Sequence, residues 1–276
     1  MSIKQILLEW ARKSDQWFIF RPSRWPYREI VSRATALAII VAILALRIFT
    51  FRRFPGTYAS EQAFFGAFKA TGGDDLYSTM QIAGLWGIKL TVWSIETLIY
   101  LGYVASYASR AKAVDIAKGF METAFPVIVA GIPLLLSLLP YKLPRWVPYG
   151  SAHHATFYLA IMVLIVAGSL LNLIGLLTLR RAFTIMTEAR TLITRGIFGI
   201  IRHPLYTGHF IMFFGSMLLR LDWTAAGLYL FFLVGQVVRA KLEERKMLQV
   251  FSEYEQYRRS TGMFFPKLTI LRQAKH

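Results

Sequence analysis

The stretch Leu205–Val238 reads LYTGHFIMFFGSMLLRLDWTAAGLYLFFLVGQVV, and it decides the fold of the chain. Its two apolar halves are separated by the group Arg220-Leu221-Asp222-Trp223. A helix needs about 20 mainly apolar residues to cross the hydrocarbon core of a bilayer, and each half is shorter than that. The pattern therefore predicts a helical hairpin that enters a membrane and returns to the same side.

Longer apolar runs lie upstream of this hairpin, and each is long enough to cross a bilayer as a helix. The four runs are roughly Val31–Phe51, Thr79–Ala108, Gly119–Leu139 and His153–Leu179. Pro126 and Pro133 predict a kink in the third run. We therefore expect an all-α integral membrane protein with four transmembrane helices, a C-terminal helical hairpin and a cytoplasmic tail helix.

The composition agrees with a membrane protein. Of the 276 residues, 55% are hydrophobic and only 17% are charged, whereas soluble proteins carry about 25% charged residues. In a soluble protein the net charge of +17 would suggest nucleic acid, but in so apolar a chain it is typical of cytoplasmic loops and contact with anionic lipid. The absence of cysteine excludes disulfides and thiolate nucleophiles. We expect neither a nucleic-acid partner nor a metal site.

The positive charges predict the orientation. Of the 32 Lys and Arg residues, 24 fall in the segments 1–33, 109–120, 180–203 and 239–276, which four crossings and a returning hairpin place on one side. The positive-inside rule puts that side, with both termini, in the cytoplasm. Residues 1–30 are predicted to form a cytoplasmic or interfacial segment, and residues 31–276 a single membrane domain.

Polar residues within the predicted crossings allow two interpretations. Lys89 and Glu96 are seven residues apart on one helical face, about 10 Å along the axis, and their role stays open. Gly168, Asn172 and Gly175 form a stripe that is typical of close helix packing, with Asn172 bonding to another helix. The same face could instead admit a ligand.

The motif Arg202-His203-Pro204-Leu205-Tyr206-Thr207-Gly208 follows the fourth crossing. Pro204 disfavours helical geometry at His203 and suits the first turn of a new helix. Arg202 and His203 are therefore predicted to stand at a helix N-terminus, where anions bind. Gly208 leaves room for a close approach to the backbone.

After the hairpin, Arg239–Pro266 reads RAKLEERKMLQVFSEYEQYRRSTGMFFP. Arg239 and Glu243 are four residues apart and share a helical face. Glu243 and Glu244 form an adjacent acidic pair, which by itself commonly marks an exposed helix face. The combination of this pair with the upstream His203 motif, across a membrane hairpin, favours a functional site.

The two motifs together resemble the superfamily of isoprenylcysteine carboxyl methyltransferases and phospholipid methyltransferases. The shared pattern is R-H-P-x-Y-x-G, then E-E-x-x-L, then F-G-x-x-Y-x-x-Y and a late proline. In this chain it falls on Arg202, His203, Pro204, Tyr206, Gly208, Glu243, Glu244, Met247, Phe251, Tyr254, Tyr257 and Pro266. Ser252 replaces the usual glycine, and this departure leaves the subfamily open.

The resemblance implies transfer of a methyl group from S-adenosylmethionine to a lipidic acceptor in the membrane. The cofactor would bind within about residues 180–266, and the motif implies a pocket lined by Arg202, His203, Tyr206, Gly208, Glu243 and Glu244. Arg239 suits an acceptor carboxylate, with Glu243 holding its guanidinium in place. Arg239 and Glu243 are therefore the predicted catalytic residues.

The acceptor is open at this stage. A carboxylate of an isoprenylcysteine-like molecule is the first expectation, and a phospholipid amine or a small thiol are the alternatives. An amine would need a base, for which Glu243 or Glu244 is the nearby candidate. Two other classes are an NADPH-dependent sterol-type reductase and a non-enzymatic membrane scaffold, and the sequence leaves the oligomeric state undetermined.

Overall fold

In the computed structural model, residues 34, 37–38, 40–45, 93–139, 152–220 and 222–267 are described. Residues 93–108 form the helix α1. The later helices are α2 (Gly119–Glu122), α3 (Ala124–Leu138), α4 (Ala152–Leu179), α5 (Pro204–Leu218), α6 (Trp223–Val250) and α7 (Tyr254–Ser260). Short 3-10 turns cover Arg180–Ala182 and Gly196–Gly199. The described part of the chain is mostly helical and contains no strands.

Helices α4 and α5 pack closely because glycines face each other. A Cβ atom on Gly168 would lie 2.6 Å from the carbonyl oxygen of Gly208, and one on Gly208 would lie 2.8 Å from the backbone nitrogen of Asn172. Gly175 similarly lies against the side chain of Leu205. The small-residue stripe predicted on the fourth crossing is therefore a packing surface.

Two helices, α5 and α6, flank the polar break, and the turn between them lies where the break predicts it. Asp222 caps α6, because its carboxylate accepts a hydrogen bond of 2.9 Å from the Ala225 N–H. Arg220 donates from Nε to the carbonyl of Leu139, at 3.1 Å, and so fastens the turn to the end of α3.

The second half of the hairpin is longer than predicted. The apolar run ends at Val238, but α6 continues to Val250 and spans 28 residues. The separate tail helix expected after Arg239 is thus the continuation of α6, since residues 239–250 consist largely of strong helix formers with no Gly or Pro. As a result, Arg239 and the acidic pair project from the same rigid helix as the apolar segment.

The upstream crossings agree only in part with the prediction. Helix α4 begins one residue before the predicted fourth crossing. The predicted third crossing is interrupted at Thr123, and α3 has 15 residues, which is short for a crossing. Pro126 lies in the first turn of α3, where its missing N–H costs nothing. The predicted first crossing lies largely outside the described residues, as do residues 79–92 of the second.

Among the described residues, two helical segments are long and apolar enough to cross a membrane. They are Leu159–Ala182, with 24 residues, and Trp223–Val250, with 28. Apolar side chains between the helices form the core. The buried clusters are Ile161, Met162, Ile165, Met212 and Leu219; Val129, Ile132 and Phe232; and Ile40, Ile99, Tyr107, Leu176, Phe183, Phe198 and Leu205.

Candidate functional site

The start of α5 forms one wall of the site. Pro204 occupies the first turn, and His203 precedes it with φ −125° and ψ 60°, outside helical geometry, as predicted. The N–H groups of Arg202 and His203 donate to the carbonyls of Gly262 and Met263, at 2.8 and 3.0 Å. The backbone donors expected to attract an anion at these two residues are therefore satisfied by the segment that follows α7.

Glu244 on α6 contacts two motif residues at the start of α5. Its Oε1 atom accepts from Arg202 Nε at 2.7 Å and lies 3.2 Å from His203 Nε2. Arg202 also donates to the carbonyls of Arg258, at 2.9 Å, and Thr261. One buried carboxylate thus fixes the arginine and the histidine of the motif, and Arg202 in turn holds the C-terminal segment.

Glu243, its neighbour, is placed differently. Its side chain is 25% exposed, and Oε1 accepts a hydrogen bond from the Tyr206 hydroxyl. The other oxygen lies 3.9 Å from His203 Nδ1. The rings of His203 and Tyr206 are parallel, with centroids 5.4 Å apart. Glu243 therefore keeps one accessible oxygen with capacity to accept hydrogen bonds.

Arg239 is 4% exposed. One terminal nitrogen donates to Gln236 Oε1 at 2.8 Å, and the other donates to the carbonyl of Ile185 at 2.8 Å. Its guanidinium carbon lies 5.1 Å from the centre of the Tyr206 ring. Within the described ranges no carboxylate pairs with Arg239, so the contact expected from the four-residue spacing to Glu243 is absent.

A chain of buried polar side chains continues from Gln236 into the helix bundle. Gln236 Nε2 lies 3.5 Å from His209 Nδ1, and His209 Nε2 lies 3.3 Å from the Tyr103 hydroxyl. Tyr103 on α1 donates to Asn172 Oδ1 on α4 at 3.1 Å. The prediction that Asn172 bonds to another helix is confirmed.

The sequence analysis did not predict most of these hydrogen-bonded side chains. Gln236 precedes Arg239 by three residues and therefore shares its helical face, so this neighbour was detectable. His209 directly follows the motif glycine but has no spacing that marks it. Tyr103 is 106 residues from His209, and no local pattern connects residues so far apart.

The space that Gly208 leaves is filled by the backbone of α4 at Gly168 and Asn172. Glu96 is partly buried on α1, and Lys89 lies outside the described residues.

The segment after α7 covers the start of α5. Thr207 donates to the Phe264 carbonyl at 3.1 Å, and the Phe264 ring contacts His203 with centroids 5.7 Å apart. The Tyr257 hydroxyl donates to the Phe198 carbonyl at 2.6 Å. Burial raises the pKa of the Tyr254 and Tyr257 phenols well above their ordinary value, so both are neutral hydrogen-bonding groups.

The region that carries the site matches a family of known proteins. Residues 156–254 match the family described as phospholipid methyltransferase. A relative, the cobalt-zinc-cadmium resistance protein CzcN of Cupriavidus metallidurans, is 36% identical over 84 residues, which are 30% of this chain. The chain covers 38% of the length of that relative. The match over residues 156–254 includes every motif residue from Arg202 to Glu244, so this part of the chain is similar to the phospholipid methyltransferase family.

Proposed function

We propose that the protein is an integral membrane methyltransferase that moves the methyl group of S-adenosylmethionine to a lipidic or small hydrophobic acceptor. The observation that carries the proposal is the convergence of two motifs. Arg202, His203 and Tyr206 at the start of α5 meet Glu243 and Glu244 on α6. These elements are 37 to 42 residues apart in sequence, so their hydrogen bonds are made by the fold.

The residues present fit S-adenosylmethionine. When bound, this cofactor supplies a methyl group activated by a sulfonium sulfur, which leaves with its bonding electrons. Glu243 has an accessible oxygen that can accept from the cofactor's ammonium or ribose hydroxyls. Arg202 and His203 orient Glu244, and Tyr206 orients Glu243. Gly208 sets the position of α5 against α4 and so acts on the pocket indirectly.

For the acceptor, we propose a carboxylate of an isoprenylcysteine-like molecule. Arg239 is a buried cation beside Tyr206, and its Nε–H has no hydrogen-bond partner among the residues that the structure describes. A planar guanidinium with a free donor suits a carboxylate. A carboxylate arrives ionised and attacks the methyl carbon directly, so the protein aligns the reactants and excludes water. Glu243 supports this group through Tyr206, which lies between Glu243 and Arg239.

A phospholipid amine is the second candidate, and the description of the matching family favours it. An ammonium must lose a proton before it can accept a methyl group. The two carboxylates suited to this role already accept hydrogen bonds, Glu243 from Tyr206 and Glu244 from Arg202. Glu243 is the more exposed of the two, at 25% against 10% for Glu244, and is the better candidate for a base, but Arg239 would repel a cation.

The test is incubation of the purified protein with labelled S-adenosylmethionine and a fractionated lipid extract. We expect label in a lipid methyl ester, and label in an amine would favour the second candidate. In calorimetry, His203→Ala and Glu244→Ala should weaken S-adenosylmethionine binding, whereas Glu253→Ala, an exposed glutamate nearby, should not. Wild-type affinity in both site variants would contradict the proposed pocket, and binding of NADPH in its place would indicate a reductase.

The site is proposed to open to the cytoplasm, together with both termini. A reporter that is active only outside the cytoplasm, fused after His276, should give no signal. A strong signal would reverse the orientation and place the site on the side without S-adenosylmethionine.

A further inference from the structure

Arg239 is a buried cation whose hydrogen-bond acceptors are neutral. They are an amide oxygen of Gln236 and the backbone carbonyl of Ile185. Burying an ion is costly unless an opposite charge compensates for it. Within the described part of the chain this compensation is absent at Arg239, and its Nε–H lacks an acceptor. The site therefore carries an unbalanced positive charge with a free donor.

Gln236, which is 1% exposed, is held in one orientation by groups on both sides of its amide. Its oxygen must face Arg239, which can only donate. Its nitrogen then faces His209 Nδ1 as a donor. That arrangement leaves His209 Nε2 to donate to Tyr103, whose hydroxyl donates to Asn172. The donors and acceptors of four side chains thus run in a single direction.

A glutamate at position 236 could accept the same hydrogen bond from Arg239 with nearly the same shape, but it would neutralise the charge. The observed glutamine provides the geometry without the charge. We propose that Gln236, oriented by His209 and Tyr103, is a positioning residue that fixes the Arg239 guanidinium and leaves its positive charge available to the anionic head of the acceptor.

This inference rests on the proposed function and narrows its substrate class. The acceptor carries a carboxylate or a phosphate near the site of methyl transfer, because both offer oxygens that pair with a guanidinium. A lipid whose head carries only an ammonium would meet a like charge in a poorly solvated site, where such repulsion is strong. Carboxylate, phosphate and ammonium head groups can be compared on a common alkyl chain.

The first experiment changes only the charge at position 236. Gln236→Glu is compared with Gln249→Glu, the same substitution at an exposed position of α6, using labelled S-adenosylmethionine and S-farnesyl-N-acetylcysteine as a lipid carboxylate. We expect Gln236→Glu to raise the KM for the carboxylate by about ten-fold or more, since a charged hydrogen bond is lost. S-adenosylmethionine affinity and Tm should not fall.

A purely structural role for Gln236 predicts a different result. Tm would again not fall, but the KM for the carboxylate would stay within about two-fold of wild type, because the new ion pair would still hold Arg239 in place. That outcome in a folded Gln236→Glu protein overturns the proposal. Wild-type kinetics are expected for Gln249→Glu, so a KM increase in that variant as well would also count against it.

The second experiment needs no folded variant at position 236. Binding of dodecanoate, dodecyl phosphate and dodecylammonium to the wild-type protein in a non-ionic detergent is measured by calorimetry. We expect at least one anion to bind about ten-fold more tightly than the ammonium, and Arg239→Met to remove the difference. Equal or tighter binding of dodecylammonium overturns the proposal.

The two experiments also separate this inference from the proposed function. Dodecyl ligands are measured without S-adenosylmethionine, so an anion preference can be scored even if the cofactor does not bind. Conversely, S-adenosylmethionine binding with no preference between the dodecyl head groups would retain the methyltransferase and reject the role of Gln236.

Discussion

Arg239 and Lys246 lie seven residues apart on α6, about two helical turns, and both are buried, but their surroundings differ. Lys246 forms ion pairs with Glu122 and, at 3.7 Å, with Asp115. It also donates to the carbonyls of Ile116 and Thr187, at 2.7 and 3.0 Å. Arg239 instead has the neutral acceptors described above. Among the described residues, one buried cation is therefore compensated by carboxylates and the other has only neutral acceptors.

The surroundings of Lys246 explain what its charge does. Its partners come from the loop before α2, from α2 itself and from the segment before the second 3-10 turn. Asp115 and Ala189 bridge the same two segments through their backbones. Lys246 thus joins three parts of the chain that are distant in sequence, which is a structural role. The contrast teaches that the balance of charge around a buried cation separates a structural cation from a candidate binding group.

The largest expected effect is on turnover in Arg239→Lys. Lysine keeps the charge but cannot reach two acceptors with a planar fork. We expect methyl transfer to fall about 100-fold while S-adenosylmethionine affinity stays near wild type. The measurement is turnover on the true acceptor alongside calorimetry, with Arg245→Lys, an exposed position on α6, as the control. If Arg239→Lys keeps most of its activity, Arg239 is not catalytic and the acceptor site moves toward Glu96 or Asn172.

The second effect is on stability in Lys246→Met. This change leaves the Glu122 carboxylate and two carbonyls without their cation, whereas Asp115 keeps its ion pair with Lys118 at 2.9 Å. Because Glu122 and Asp115 are about one-quarter exposed, water replaces part of the lost interaction. We expect the free energy of unfolding to fall by about 2 kcal/mol, with near-normal activity per folded molecule. Denaturant titration in detergent measures it, with the exposed Lys241→Met as control. Unchanged stability with lost turnover would reverse the roles assigned to the two cations.

Tyr206→Phe tests the boundary between the proposed cofactor site at Glu243 and the proposed acceptor site at Arg239. Its expected effect is smaller. The ring beside Arg239 is kept, but the hydroxyl that donates to Glu243 is removed. We expect S-adenosylmethionine affinity to fall about ten-fold, as for loss of a hydrogen bond to a charged group, and the acceptor KM to change little. Tyr229→Phe, which removes a hydroxyl that donates to the Phe210 carbonyl, is the matched control. A larger change in acceptor KM than in cofactor affinity would place Tyr206 on the acceptor side.

The smallest effect is expected for Glu255→Gln. Glu255 accepts from Arg259 and Arg258 on α7, and the hydrogen bond from Arg259 contributes most to holding the pKa of its carboxyl below the ordinary value. These ion pairs face solvent, where water screens them. Thermal unfolding of the variant should give no measurable change in Tm. A clear decrease would show that burial is not what distinguishes Lys246 from other paired charges.

Local sequence features predicted several elements because each depends on nearby residues. Pro204 set the start of α5, the polar break at residues 220–223 placed the turn before α6, and the apolar run ending at Leu179 gave the extent of α4 within one residue. The glycine stripe on α4 was also correctly interpreted. The end of the hairpin was wrong because the apolar run was taken as the limit of the helix. Helix propensity, which continues through residues 239–250, decides that limit.

The sequence by itself determined helices α4 and α5, the turn before α6 and the choice of residues proposed for the site, since these follow from composition, the position of proline and spacing within short windows. Only the tertiary structure decided how those residues pair. The spacing of Arg239 and Glu243 is compatible with a mutual ion pair. The fold instead supplies Gln236 and Ile185 to Arg239 and Tyr206 to Glu243. The physical reason is that a buried side chain bonds to whatever acceptor the packing brings within about 3 Å, and packing joins segments that are far apart in sequence.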